Sequence, residues 1–149
     1  MATATFYLVK EGSSQSQEQG LFEYVVFLAH HFAKQGAKVF VNADDKPSAE
    51  AIAELLWQAK PEDFIAHNLV GEGPKSGTAI EVGHSFVKPS WNRQLVINVA
   101  NDNTIFAPTF GQVVDFVPCE EKAKQQARER YKIYRQAGYQ LQTIEIQYP

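Results

Sequence analysis

Cysteine is almost missing from these 149 residues: Cys119 stands alone, so no internal disulfide can form. That agrees with a reducing cytoplasm, and a cytoplasmic location is expected. No stretch of about 18 apolar residues occurs, so no membrane span is expected. The opening MATATFYLVKEG lacks the charged start and long apolar core of a signal peptide. Neither HExxH nor a Cys/His zinc spacing is found. His30 and His31 are adjacent and would point about 100° apart on a helix, unable to share one ion easily. No GxSxG elbow is present, and no two carboxylates can be given acid and base roles. The glycine-bearing stretch Asn68 to Thr78, NLVGEGPKSGT, only superficially suggests a phosphate loop. A phosphate loop needs Lys directly after its second Gly and then Ser or Thr; here Lys75 precedes Ser76-Gly77-Thr78. A turn between strands is the preferred reading. Catalytic residues, metal ligands and cofactors are therefore all expected to be none.

Strong positive charge is lacking too. The formal net charge is −3, so the chain is no general nucleic-acid binder, and any anion site must be a local patch. What remains is ordinary for a globular protein: 44% hydrophobic and 21% charged residues, without repeats or low-complexity tracts. The length suits one domain, residues 1–149, with a substantial core.

Taken in order, Ala4 to Val9 reads as a buried strand. Glu11 to Gln19 is a polar loop running into a helix whose Leu21, Tyr24, Val25, Leu28 and Phe32 recur at helical spacing, with Gly36 to end it. Lys38 to Asn42 is a second strand. A second helix follows through Ala59, with Pro47 and Ser48 at its start and Ile52, Leu55, Leu56 and Ala59 on its core face. Trp57 projects away from that face, and Phe64 follows in an acidic, loop-like context. Exposed aromatics of this kind are enriched in interfaces, so the two form one candidate patch; cover by another layer of the same domain is the alternative. Thr78 to Val82 and Arg93 to Ala100 are candidate strands separated by the turn Lys88-Pro89-Ser90. Asn101 to Phe110 reads as a loop. Val113 to Val117 is a further strand, and Gln140 to Gln147 an edge strand with one wet face. Strands alternating with helices argue for a three-layer α/β domain.

The long helix after Pro118 carries the main signal. Acidic Glu120 and Glu121 suit its first turn, and Gly138 suits the position after its C-cap. On a helical wheel Ala123, Ala127, Arg130, Tyr134 and Ala137 share one face, with Ile133 at its margin, and Arg130 needs a partner if buried. Lys124, Arg128, Lys132 and Arg135 collect in a second stripe, with Tyr131 between the two. Four cations edged by an aromatic could hold an anion that also carries an apolar group. The bland alternative is a solvated face, but Lys124, Arg128 and Lys132 recur every four residues, where like charges repel mildly.

ATFYL at the start, HNLVGEGPKSGTAIE in the middle, and VVDFVP followed by ARERYKIYRQAGY near the end closely resemble the chi subunit family of bacterial DNA polymerase III. The resemblance spans nearly the whole chain; the 11–35 and 84–110 regions depart most. It implies a single three-layer α/β/α domain with a mixed, mostly parallel central sheet, and no intrinsic activity. It implies two partners: the psi subunit, which tethers chi to the clamp loader, and the acidic, hydrophobic C-terminal tail of single-stranded DNA-binding protein. Some members also join a damage-response DNA helicase through the psi-binding surface. The family's tail site corresponds here to Arg128, Tyr131 and Lys132, with Lys124, Val117 and Arg135 nearby, and the psi surface to Trp57 and Phe64. Two other classes stay open at this level: direct binding of single-stranded nucleic acid by the basic stripe, and an undetected hydrolase.

Overall fold

The computed structural model describes residues 2–59, 64–73, 77–84, 94–101 and 110–147. Their strands are β1 (Thr3–Leu8), β2 (Val39–Ala43), β3 (His67–Leu69), β4 (Ile80–His84), β5 (Leu95–Asn98), β6 (Gln112–Val117) and β7 (Gln140–Glu145). The α-helices are α1 (Glu18–Lys34), α2 (Lys46–Trp57) and α3 (Glu121–Gln136), and a 3-10 turn, Ser14–Ser16, leads into α1.

Local chemistry sets the helix ends. Asp45 precedes α2, and its side chain accepts the Ser48 N–H at 2.9 Å, while Pro47 fills an early position where no N–H is needed. Glu120, expected inside the first turn of α3, is instead its N-cap and accepts the N–H groups of Lys122 and Ala123 at 3.1 and 2.7 Å. At the other end Gly138, at φ +90°, donates to Arg135 O and Tyr139 donates to Tyr134 O. That is a Schellman closure, and the rings of Tyr134 and Tyr139, 5.7 Å apart, supply its apolar contact. Ala137, expected on the buried face, is the exposed C-cap, because the helix has already ended.

The strands form one sheet in the order β3-β4-β2-β5-β6-β1-β7; among the described residues every pairing is parallel, so the sheet expected to be mixed is parallel throughout, each strand returning through a crossover. Right-handed crossovers then decide the layers. The chain moves one way across the sheet through α1 and α2, so both lie on one face. It moves the other way from β6 over β1 to β7, so α3 lies on the opposite face. Two cores result. One joins Val25, Leu28, Ile52 and Leu56 of α1 and α2 to Val41, Val82, Ile97 and Phe116; the other joins Phe6, Phe40, Val96 and Val113 to Tyr134 and Tyr139. β2 and β5 are buried along their whole length, as parallel strands covered on both sides should be.

β3 was not legible as a strand. At three residues it is too short to show alternation, and it pairs only with β4. The glycine loop after it is tied by Asn68, whose amide donates to Leu69 O and Glu72 O at 2.6 and 2.5 Å and accepts from the Thr78 hydroxyl. Gly73 sits at φ +104°, and a Cβ there would come within 2.8 Å of Asn68 Cγ, so both the backbone and the space require glycine. The expected turn at Lys88-Pro89-Ser90 and most of the 101–110 loop lie outside the described residues.

Arg130 has the partner its burial demanded. It is 1% exposed, and its guanidinium forks onto Asp115 of β6, Nε to Oδ2 at 2.8 Å and Nη2 to Oδ1 at 3.0 Å. Nη1 donates to Asn101 O at 2.8 Å. Asp115 Oδ2 also accepts from the Tyr134 hydroxyl at 3.0 Å and from Asn98 at 3.3 Å, and Asn98 accepts from Asn42 at 2.9 Å. Burial, then the neighbouring Asp115 charge, holds the Tyr134 phenol far above its ordinary range. The network fixes the register of α3 on the sheet, and with it the direction in which the helix's outer side chains point.

β7 is the sheet's edge, as expected, but it is wet on both faces rather than one. Among its residues only Leu141 is half-buried; the rest are exposed. α1 and α2 cover the β2 half of the sheet and stop short of β7.

Candidate functional site

Once Arg130 faces inward, Tyr131 lies about 100° further around α3, and Arg128, Lys132 and Arg135 lie about 140–200° around, on the side over β1 and β7. They open onto a surface groove of about 320 Å³. Phe6 of β1, Val117 of β6, Ala127 and Tyr131 of α3, and Thr143 of β7 line it, and Arg128, Lys132 and Arg135 complete the lining from the helix. The Tyr131 ring is set by Phe6, its centroid 5.4 Å away. An apolar cavity of about 150 Å³ already accepts a benzene-sized ring, so the groove has room for an aromatic side chain beside a carboxylate.

Of the residues proposed from the sequence, Val117, Arg128, Tyr131, Lys132 and Arg135 meet here. Lys124 does not line the groove; its ammonium lies 3.8 Å from Glu121. Lys132 likewise has Glu129 at 3.6 Å, and Arg128 donates to Gln125 at 3.1 Å. The stripe is therefore less single-signed than its wheel suggested, because acids one turn back offset the repulsion between the cations. Phe6, Thr143 and Ala127, which the wheel placed on the packed face, were missed. Phe6 was read only as part of a buried strand, and Thr143 enters the groove because β7 pairs beside β1, with Thr143 in register with Phe6.

Trp57 and Phe64 are 64% and 40% exposed, and their rings lie 5.4 Å apart. His67, not singled out earlier, completes the cluster at 5.1 Å from Trp57 and 5.5 Å from Phe64. Its Nδ1 lies 3.0 Å from Ile65 O, which orients the ring. This patch belongs to α2 and β3, at the end of the sheet opposite β7.

A cleft of about 360 Å³ also opens at the C-terminal ends of the strands, where α/β enzymes place their sites. Two of its three acids serve the backbone: Glu120 caps α3, and Asp44 accepts the Asn101 N–H at 3.2 Å. Cys119 Sγ donates to Val9 O at 3.2 Å. Among the described residues no group of three or more His, Cys, Asp or Glu could hold a metal, and no helix is long and apolar enough to cross a membrane.

These features define a three-layer α/β/α protein with two separate surface features, a cation-rimmed apolar groove and an exposed aromatic cluster. Residues 1–142 match the family described as DNA polymerase III chi subunit, HolC, and the chain belongs to that family. The DNA polymerase III subunit chi of Escherichia coli (strain K12) is 37% identical over 96% of this chain and 97% of its own length. That of Haemophilus influenzae is 36% identical, over 97% of each chain. That of Pseudomonas aeruginosa is 28% identical, over 95% of each. The fold also resembles part of T4 UvsW in its crystal structure, with a TM-score of 0.63 at 14% identity, over 97% of this chain and 41% of the other. That likeness concerns architecture alone.

Proposed function

We propose that this chain is a non-catalytic adaptor of the DNA polymerase III clamp-loader complex. It bridges the psi subunit to the acidic C-terminal tail of single-stranded DNA-binding protein. The groove carries the reading: an apolar floor at Phe6, Val117 and Tyr131 lies beside Arg128, Lys132 and Arg135. A tail that ends in Asp, Pro and a terminal Phe carboxylate offers a ring for the floor and anions for the cations. Arg128 supplies a planar fork for a carboxylate, and Lys132 a point charge. The Trp57–Phe64–His67 cluster is proposed as the psi surface, and a damage-response DNA helicase would compete for it. Since the cluster and the groove lie toward opposite ends of the sheet, both partners can be held at once.

The test is a calorimetric titration with a synthetic tail peptide. Arg128→Ala should weaken binding about tenfold or more, the loss of one charge-assisted hydrogen bond. Lys132→Ala should lose no more than that. Lys124→Ala, outside the groove, should lose less than either. Naked single-stranded oligonucleotide should bind more weakly than the peptide. Equal affinity of the parent and Arg128→Ala for the peptide would sink the assignment.

A further inference from the structure

The outer edge of β7 adjoins the groove. Gln140 donates its backbone N–H to Ala2 O at 2.9 Å, and Ile146 donates to Leu8 O at 3.3 Å. In a parallel ladder alternate residues turn their backbone groups toward the same neighbour. Gln142 and Ile144 therefore also face β1, while the N–H and C=O groups of Leu141, Thr143 and Glu145 point to the outer edge, where no strand among the described residues pairs with them. Natural edges are usually blunted by Lys, Pro or a bulge. Gln140–Glu145 has neither Lys nor Pro, and it stays in unbroken register with β1.

A groove flanks this edge on each face of the sheet. On the α3 side Thr143 lines the cation-rimmed groove. On the α1 side Gln142 and Ile144 line a second groove, of about 410 Å³, with Tyr7, Tyr24, Phe27 and His31. Phe27 and Ile144 are 44% and 42% exposed there.

We infer that the outer edge of β7 receives an extended segment of the acidic partner peptide as an eighth strand. This rests on the tail reading above and adds to it how the residues before the terminal proline are held. An added strand would lie about 4.8 Å beyond β7 and send alternate side chains to opposite faces. On one face stand Arg128, Lys132 and Arg135. From Arg128 to Arg135 the helix rises about 10 Å, room for two same-face side chains about 6.7 Å apart. Glu145 and Glu129 temper that field at its borders. On the other face stand Phe27 and Ile144. The matching occupant is an extended peptide with carboxylates at alternate positions and an apolar side chain between them, joined by strand addition. Charge disfavours a second copy of this chain. Edge-to-edge pairing about a two-fold axis normal to the sheet would bring two cationic rims to the same face.

Amide exchange read by NMR tests this on the full chain, with a synthetic acidic peptide ending in Asp, Pro and Phe. At saturation the amides of Leu141 and Thr143 should exchange at least about tenfold more slowly, while Gln142 and Ile144, already bonded to β1, change little. Peptides N-methylated at alternate backbone amides should divide by register, one set losing about tenfold in affinity and the other set little. If the peptide binds in an Arg128-dependent way but the edge amides exchange as before and both methylated sets bind equally, strand addition is wrong and the groove reading stands. If the peptide does not bind, both readings fall. If the edge amides are slow in the protein alone and speed up on dilution, a second copy occupies the edge and the inference is overturned.

Discussion

Replacing Asp115 by Asn should destabilise the protein by about 3–5 kcal/mol, the range for removing one partner of a buried ion pair. The structure gives the reason for so large an effect from a nearly isosteric change. Asp115 is fully buried, and its two oxygens accept five hydrogen bonds, from Arg130 twice, Tyr134, Asn98 and its neighbour Phe116. Whichever way the new amide points, its NH₂ faces donors instead of offering them an acceptor. Arg130, 1% exposed, keeps its charge and loses its counter-ion. For a chain of this length the melting temperature should fall by about 6–20 °C. Urea unfolding of the parent, Asp115→Asn, Arg130→Met and the double variant measures the effect and separates the pair. The double should be less destabilised than the sum of the singles by about 1–3 kcal/mol, since it leaves no orphan charge. Additivity within about 0.5 kcal/mol, or a loss below about 1 kcal/mol for Asp115→Asn, would refute the view that this pair locks α3.

Phe64→Ala should weaken psi binding by about 2 kcal/mol or more, as truncation of an exposed anchor does, with tail-peptide affinity unchanged in the same preparation. Co-purification with psi measures the first, and calorimetry the second. At high pH the phenols set the trend. Burial pushes Tyr24 up to about 12, and raises Tyr7, Tyr134 and Tyr139 as well. A phenol raised in the folded state contributes stability that is complete below its unfolded value near 10 and is lost as pH rises toward the folded value. Unfolding midpoints should therefore decline above about pH 10, and Tyr24→Phe should flatten that decline. The Asp45 carboxyl lies below its usual range because it accepts the Ser48 N–H. Its help to α2 should be present at neutral pH and fade on acidification through the folded value, visible as earlier fraying of residues 46–49 by NMR.

Much of this was legible in the chain. Periodicity of 3.6 set α1, α2 and α3, and the caps of α3, from Glu120 to Gly138, could be located to within a residue because capping is local chemistry. The wheel also put Arg130 on the inward face, and therefore asked for a buried partner to meet it. It could not tell which one. Asp115 is 15 residues away, and only the crossover from β6 through α3 brings it within 2.8 Å. The stripe Arg128, Lys132 and Arg135 was readable for the same local reason, and Trp57 was readable as the aromatic off its helix face. Phe6 and Thr143 became part of the groove only when β1 and β7 paired beside α3. That β7 is an edge exposed on both faces is equally non-local, because it depends on where α1 and α2 stop. The sequence by itself determined which residues each helix turns inward and outward, since that follows from one angle per residue. The tertiary structure alone decided what they face, since strand order follows from the handedness of crossovers and the packing of whole layers.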